Sequence, residues 1–149
     1  MPCIAAQYNP RVGPLLQLSI FAADIRATQG TPILRDRQHI YMALLDTGAS
    51  STCVSRKVVD EVGLRPTGKM PVIGVHGSTP TNTYQFTVGF VVPQGQDATG
   101  ALLADSTMFA VDGIEFANVG CGFDVLLGRD VLCRGQFTMT FNGQFVICF

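Results

Sequence analysis

The chain has no tryptophan, two lysines, two glutamates and two histidines, and charged residues fill only 14% of its 149 positions. An average soluble domain carries roughly 25% charged residues, so this is not the highly charged, weakly apolar chain that stays disordered. Ten Lys and Arg against eleven Asp and Glu give a net charge of −1, and the longest basic run is Arg56-Lys57. That excludes the electrostatic footprint a nucleic-acid backbone needs. No apolar stretch reaches the roughly eighteen residues of a membrane-spanning helix, so neither nucleic acid nor membrane is expected as a partner. Leu15–Ala23, preceded by Arg11, comes nearest to a signal-peptide core, yet Gln17 and Ser19 interrupt it at strand spacing.

Cys-x-x-Cys pairs are missing too. Cys3, Cys53, Cys121, Cys133 and Cys148 form an odd, scattered set with only His39 and His76 to complement them, so no metal site is expected. The cysteines read for the most part as free buried thiols acting as small hydrophobes in a reducing compartment, which points to the cytoplasm.

What is present is strand material. Sixteen Gly, eight Pro and ten Phe suit short strands joined by tight turns better than surface helices, and the length suits one domain over 1–149. Leu16, Leu18 and Ile20 alternate with Gln17 and Ser19 as a first strand, followed by a loop or hairpin around Gly30, Pro32, Arg35, Asp36 and Arg37. His39–Leu45 is almost unbroken by polar residues and reads as a strand buried on both faces. Val58, Val59, Val62 and Leu64 recur at helical spacing, with Ser55 as N-cap and Gly63 and Pro66 as stops. Met70–Pro93 reads as a long hairpin with a glycine-bearing tip, Gln94–Ala104 as an irregular connection, and Met108–Val111, Ile114–Val119 and Phe123–Leu127 as strands. Asn142-Gly143 is a strong hairpin signal inside Phe137–Phe149. Phe137, Phe141, Phe145 and Phe149 recur at every fourth residue and read as core or interface strand residues.

The chemistry centres on Asp46-Thr47-Gly48. By composition such a tripeptide has about 0.1 chance occurrences in a chain like this one, so its context decides. A buried strand delivers the chain to it, and Ala49, Ser50 and Ser51 after it are small. A carboxylate is thereby placed on a tight turn at the end of a rigid strand, where glycine lets another backbone approach closely. That arrangement suits a positioned acid or base. Cys53 lies close in sequence, but no histidine is placed to activate it as a nucleophile.

Leu44-Leu45-Asp46-Thr47-Gly48-Ala49-Ser50, the hairpin after it and Val125-Leu126-Leu127-Gly128-Arg129-Asp130-Val131-Leu132 together resemble the retropepsins, the single-domain aspartic proteases of retroviruses and their cellular and bacterial relatives. The resemblance spans roughly residues 15–149 in order and implies an all-β, closed-barrel-like fold with one or two short helices, an N-terminal arm (1–14) and a flap hairpin (70–93). It implies catalysis by Asp46, Thr47 and Gly48, with Thr47 bonding across a dimer axis. Gly48, Ala49 and Ser50, with the flap tip Val75, His76, Gly77 and Ser78, would hold an extended peptide. Gly128, Arg129 and Asp130 would give structural support behind the turn. No metal or other cofactor is implied.

One chain holds one Asp-(Ser/Thr)-Gly, since Asp105-Ser106-Thr107 lacks the glycine, so a homodimer must supply the second carboxylate. Two departures stand out. Retroviral members often carry an acidic residue where this chain has Ser50, paired with the arginine matching Arg129, and Ser50 cannot make that ion pair. Phe137–Phe149 forms its own hairpin where retroviral chains donate one short terminal strand. Rival readings are a catalytically silent dimerisation or peptide-binding module, and an architectural subunit docking through the Met70–Pro93 hairpin by strand addition.

Overall fold

The computed structural model describes residues 2–23, 39–74, 77–96, 98, 102–117 and 120–149. Among these the elements are β1 (Cys3–Gln7), β2 (Leu15–Ala22), β3 (Ile40–Leu45), β4 (Cys53–Ser55), α1 (Arg56–Val62), β5 (Pro66–Gly74), β6 (Gly77–Gln96), β7 (Leu102–Phe116), β8 (Val125–Leu127), α2 (Arg129–Leu132), β9 (Gln136–Met139) and β10 (Gln144–Cys148). The expected loop around Gly30–Arg37 lies outside the described residues.

The larger sheet runs β2-β3-β8-β4-β7-β6-β5, and a further antiparallel pairing of β2 with β6 closes its first six strands into a barrel. The all-β, closed-barrel expectation therefore holds. Closure removes the open edges of an isolated sheet and leaves β5 outside, paired among the described residues with β6 alone. Inward residues of the strands fill the barrel: Ile20, Val54, Tyr84, Phe86, Val88, Val125 and Leu127 are essentially without exposure. α1 closes one end through Val58 and Val59. It begins and ends as its sequence dictates, with the Ser55 hydroxyl accepting from the Val58 N–H and Gly63 adopting a left-handed φ of 74°.

Several expectations need correction. β3 is not buried on both faces: Tyr41, Ala43 and Leu45 are buried, Met42 and Leu44 are half-buried, and Ile40 is exposed. Its outer face borders a groove of about 480 Å³ that Met42 shares with Cys3–Ala6 and Leu15–Gln17, so packing there is incomplete. Gln94–Ala104 is not wholly irregular, because β6 runs to Gln96 and β7 starts at Leu102 with those two residues in register across a bulge near Gly95. Met108–Val111 and the start of Ile114–Val119 are one strand. Gly113 between them is no turn; a Cβ there would lie 2.5 Å from the Phe86 ring and 2.7 Å from the Thr52 carbonyl oxygen. The glycine admits a close approach and leaves the strand unbroken.

The N-terminal arm is itself a strand. β1, β10 and β9 form a second antiparallel sheet in that order, and the Asn142-Gly143 hairpin joins β9 to β10 with Gly143 at a φ of 80°. Phe145 and Ile147 of this sheet are buried, with Phe137 and Phe149 packed beside them. Phe149 bridges to the barrel through Phe90 and Phe109, with ring centroids 4.5 and 4.9 Å away. Phe141 departs from the expected core pattern and is fully exposed at the turn.

The reading of the cysteines as free buried thiols fails for four of five. Cys3 and Cys148 face each other across β1 and β10 and are disulfide-bonded, while Cys121 and Cys133 are exposed. Only Cys53 is a buried thiol, donating to the Ser51 carbonyl.

Candidate active site

β3 and β4 are consecutive in sequence, yet β8 lies between them, parallel to β3 and antiparallel to β4. The connection Asp46–Thr52 must therefore arch over the end of β8, which lifts the Asp-Thr-Gly turn out of the sheet and sets it on a floor of packed backbone. The Asp46 N–H donates to Leu127 O at 3.0 Å, and before it the Leu45 N–H donates to Pro14 O at 3.0 Å. The aspartate and the residue before it are thus tied to β8 and to Pro14, the residue just before β2.

Within the turn, the Gly48 N–H donates to Asp46 Oδ1 at 2.8 Å, and the Ala49 N–H to Asp46 O at 3.2 Å. A Cβ on Gly48 would sit 3.0 Å from the same carboxylate oxygen, so glycine gives the carboxylate room against the backbone. Asp46 is half-buried, Thr47, Gly48 and Ser50 are exposed, and Ala49 is half-buried. One carboxylate oxygen is oriented by the backbone while the side chain still reaches solvent.

Beneath the turn lies the second sequence element. The Arg129 N–H donates to Ala49 O at 3.0 Å. Gly128 passes so close to Ser51 that a Cβ would lie 2.5 Å from its carbonyl carbon. The Asp130 carboxylate accepts from the Thr52 N–H at 2.9 Å and the Thr52 hydroxyl at 2.7 Å, and that hydroxyl accepts from the Gly128 N–H at 3.1 Å. Thr52 is fully buried, so its polar groups depend on these partners. Among the described residues no carboxylate forms an ion pair with Arg129, whose guanidinium is exposed; the backbone of Arg129, not its charge, meets the turn.

Thr52 was not singled out from the sequence. It lies four positions past the motif and contacts a residue 78 positions away, and its burial between two motifs is what marks it. Cys53 beside it has its thiol pushed up to about 11, chiefly by burial and then by the negative charges of Asp130 and Asp46. It is a protonated, unreactive thiol at neutral pH.

Of the flap residues, Val75 and His76 lie outside the described residues. Gly77 and Ser78 open β6, with Gly77 at a φ of 108° paired to Gly74 across the hairpin, and Ser78 paired to Ile73. Ile73 is 86% exposed, an apolar side chain close to the tip. Among the described residues no three His, Cys, Asp or Glu side chains converge.

A closed β-barrel with an Asp-Thr-Gly turn arched over a strand that leads into Gly-Arg-Asp is the arrangement of a retropepsin-like aspartic protease. Residues 36–131 match the family model described as aspartyl protease, and the chain belongs to that family. A retropepsin-like aspartic protease from Rickettsia conorii shares the fold, with 14% identity, 98% of this chain and 89% of that chain covered, and a TM-score of 0.54. The EIAV protease, solved in complex with an inhibitor, is similar at 17% identity over 87% of this chain and 93% of that one, with a TM-score of 0.48. The retroviral protease-like domain of Ddi1 from Leishmania major is similar at 16% identity over 85% and 82%, with a TM-score of 0.38. No curated protein sequence matches the chain.

Proposed function

We propose that the protein is a homodimeric aspartic endopeptidase of one domain, hydrolysing peptide bonds with water activated between two Asp46 carboxylates, one from each subunit. The observation that carries this reading is the setting of Asp46: tied to Leu127 through its backbone, oriented through Oδ1 by the Gly48 N–H, and open to solvent. Two carboxylates brought a few ångströms apart share one proton, because both cannot ionise easily. The ionised member takes a proton from water as it attacks. The protonated member polarises the scissile carbonyl and later protonates the leaving amine.

In this reading Thr47, at the exposed apex of the turn, braces the two turns against each other. Gly48, Ala49 and Ser50 bind substrate backbone, and the hairpin 70–93 closes over an extended peptide with Val75, His76, Gly77 and Ser78 at its tip. Gly128, Arg129 and Asp130 support the turn from behind.

The test is cleavage of a diverse peptide library by wild type and by Asp46→Asn, with and without a general aspartic-protease inhibitor. Wild type cleaves and is inhibited; Asp46→Asn keeps its fold and loses cleavage below about one per cent, the scale of a lost general base. A wild-type protein that binds peptides without cleaving them is a silent peptide-binding module instead.

A further inference from the structure

We infer that the Cys3–Cys148 bond is a redox latch on the N-terminal strand, opened by thiol–disulfide exchange with a dithiol reductant. Among the described residues β1 is a five-residue edge strand, paired on one side, to β10. The Phe149 N–H donates to Pro2 O and the Tyr8 N–H to Gly143 O at the two ends of the ladder. The alternation between them turns the Ile4 and Ala6 backbone groups toward β10 as well. Side-chain anchorage is thin, since Ile4 and Ala6 are only half-buried against the core and Cys3, Ala5 and Gln7 are exposed. On its barrel side β1 borders the open 480 Å³ groove. An edge strand with so few buried contacts is the kind of segment that opens locally, well below the free energy of global unfolding. The disulfide is the one covalent restraint on it, and it joins residues 145 positions apart.

The sulfur of Cys3 is the accessible point of attack, because Cys3 is exposed and Cys148 only partly so. A thiolate of the dithiol attacks Cys3 Sγ and forms a mixed disulfide, and Cys148 leaves as a thiolate and takes a proton. The second thiol then attacks the mixed disulfide, Cys3 leaves and is protonated, and the reductant departs as its own disulfide. Two electrons pass to the protein. β1 then detaches from β10, uncovering one flank of Ile147 and Phe145, while the closed barrel stands unchanged. The inference does not depend on proteolysis.

The experiment is amide hydrogen exchange by mass spectrometry on the full chain, oxidised and after dithiothreitol, with thiol alkylation mapped in parallel. Reduction is expected to speed exchange at Ile4 and Ala6 by tenfold or more, leave Phe86 and Val88 of β6 unchanged, and reverse on reoxidation. The double variant Cys3→Ser, Cys148→Ser should show the fast β1 rate without reductant. Equal β1 rates in the oxidised and reduced protein would overturn the latch. So would full alkylation of Cys3 and Cys148 before reduction, or a double variant that exchanges as slowly as the oxidised wild type.

Discussion

Thr52 and Asp130, 78 residues apart in the chain, are joined by two hydrogen bonds, from the Thr52 N–H to Oδ2 and from the Thr52 hydroxyl to Oδ1. Oδ1 also accepts the Val131 N–H, so both oxygens act as acceptors of backbone donors. This pair locks the end of the aspartate turn onto α2.

Asp130→Ala is expected to destabilise the fold by roughly 1–3 kcal/mol, because it leaves the buried Thr52 donors without an acceptor. Asp130→Asn keeps the shape but must turn its NH₂ toward either the Thr52 N–H or the Val131 N–H, so its loss should be intermediate. Urea denaturation of the three proteins checks the order. An asparagine variant as stable as wild type would show that the second acceptor is dispensable.

Gly128→Ala pits two effects against each other. Gly128 has φ −86° and ψ 179°, a conformation alanine adopts readily, and on chain entropy alone the substitution would stabilise by about 0.4–1 kcal/mol. The added Cβ, however, would lie 2.5–2.8 Å from backbone atoms of Ser51 and Thr52, which cannot rotate away. Overpacking costs about 1–3 kcal/mol, so the clash wins, and the shift falls on the turn that carries Asp46. A lower midpoint in thermal denaturation together with lost peptide cleavage is the expected outcome.

Much of this arrangement was legible beforehand, and the residues show why. Ser55 and Gly63 bounded α1, the Leu16, Leu18, Ile20 alternation marked β2, and Asn142-Gly143 marked the last hairpin, all through interactions within a few residues. What escaped was long-range. The sequence Cys-Ile-Ala-Ala-Gln carries little strand propensity of its own, and β1 exists because β10 offers it an edge. The Cys3–Cys148 pairing follows from that register, which neither chain end reveals alone. Met108–Val111 and Ile114–Val119 read as two strands because nothing local announces the Phe86 ring that Gly113 between them accommodates. Asp46-Thr47-Gly48 and Gly128-Arg129-Asp130 were both visible as motifs, while Thr52, which ties them together, has no motif of its own.

Stability should fall at high pH. Burial raises the Cys53 thiol from 9.0 to about 11, and burial with a hydrogen bond to Glu61 raises the Tyr41 hydroxyl well above 10. Above pH 9 the unfolded chain releases the Cys53 proton while the folded chain retains it, so stability present below pH 9 is lost between pH 9 and 11. The Cys53 share approaches roughly 2 kcal/mol at the upper end. Urea midpoints from pH 8 to 10.5 should decline less steeply in Cys53→Ala, both measured with Cys121 and Cys133 replaced by serine to prevent thiol exchange. Parallel slopes would remove Cys53 from the account.

Activity should depend on protein concentration. One Asp-Thr-Gly per chain puts half of a dyad on each subunit, and an isolated carboxylate can hold a proton or accept one but cannot do both at once. Two other acids flank β8 and both are engaged: Asp130, beneath the turn, accepts from Thr52, and Asp124, at the opposite end of β8, accepts from the Lys57 ammonium and the Ser55 hydroxyl. Specific activity should therefore fall on dilution below the dimer dissociation constant and track the dimer fraction measured by sedimentation. Adding excess Asp46→Asn chains to wild type should depress activity beyond dilution, since each mixed dimer carries one catalytic carboxylate. A preparation shown to be monomeric that cleaves peptides at full specific activity would sink the two-subunit mechanism, and Asp124→Asn and Asp130→Asn would then show which acid serves Asp46 within one chain.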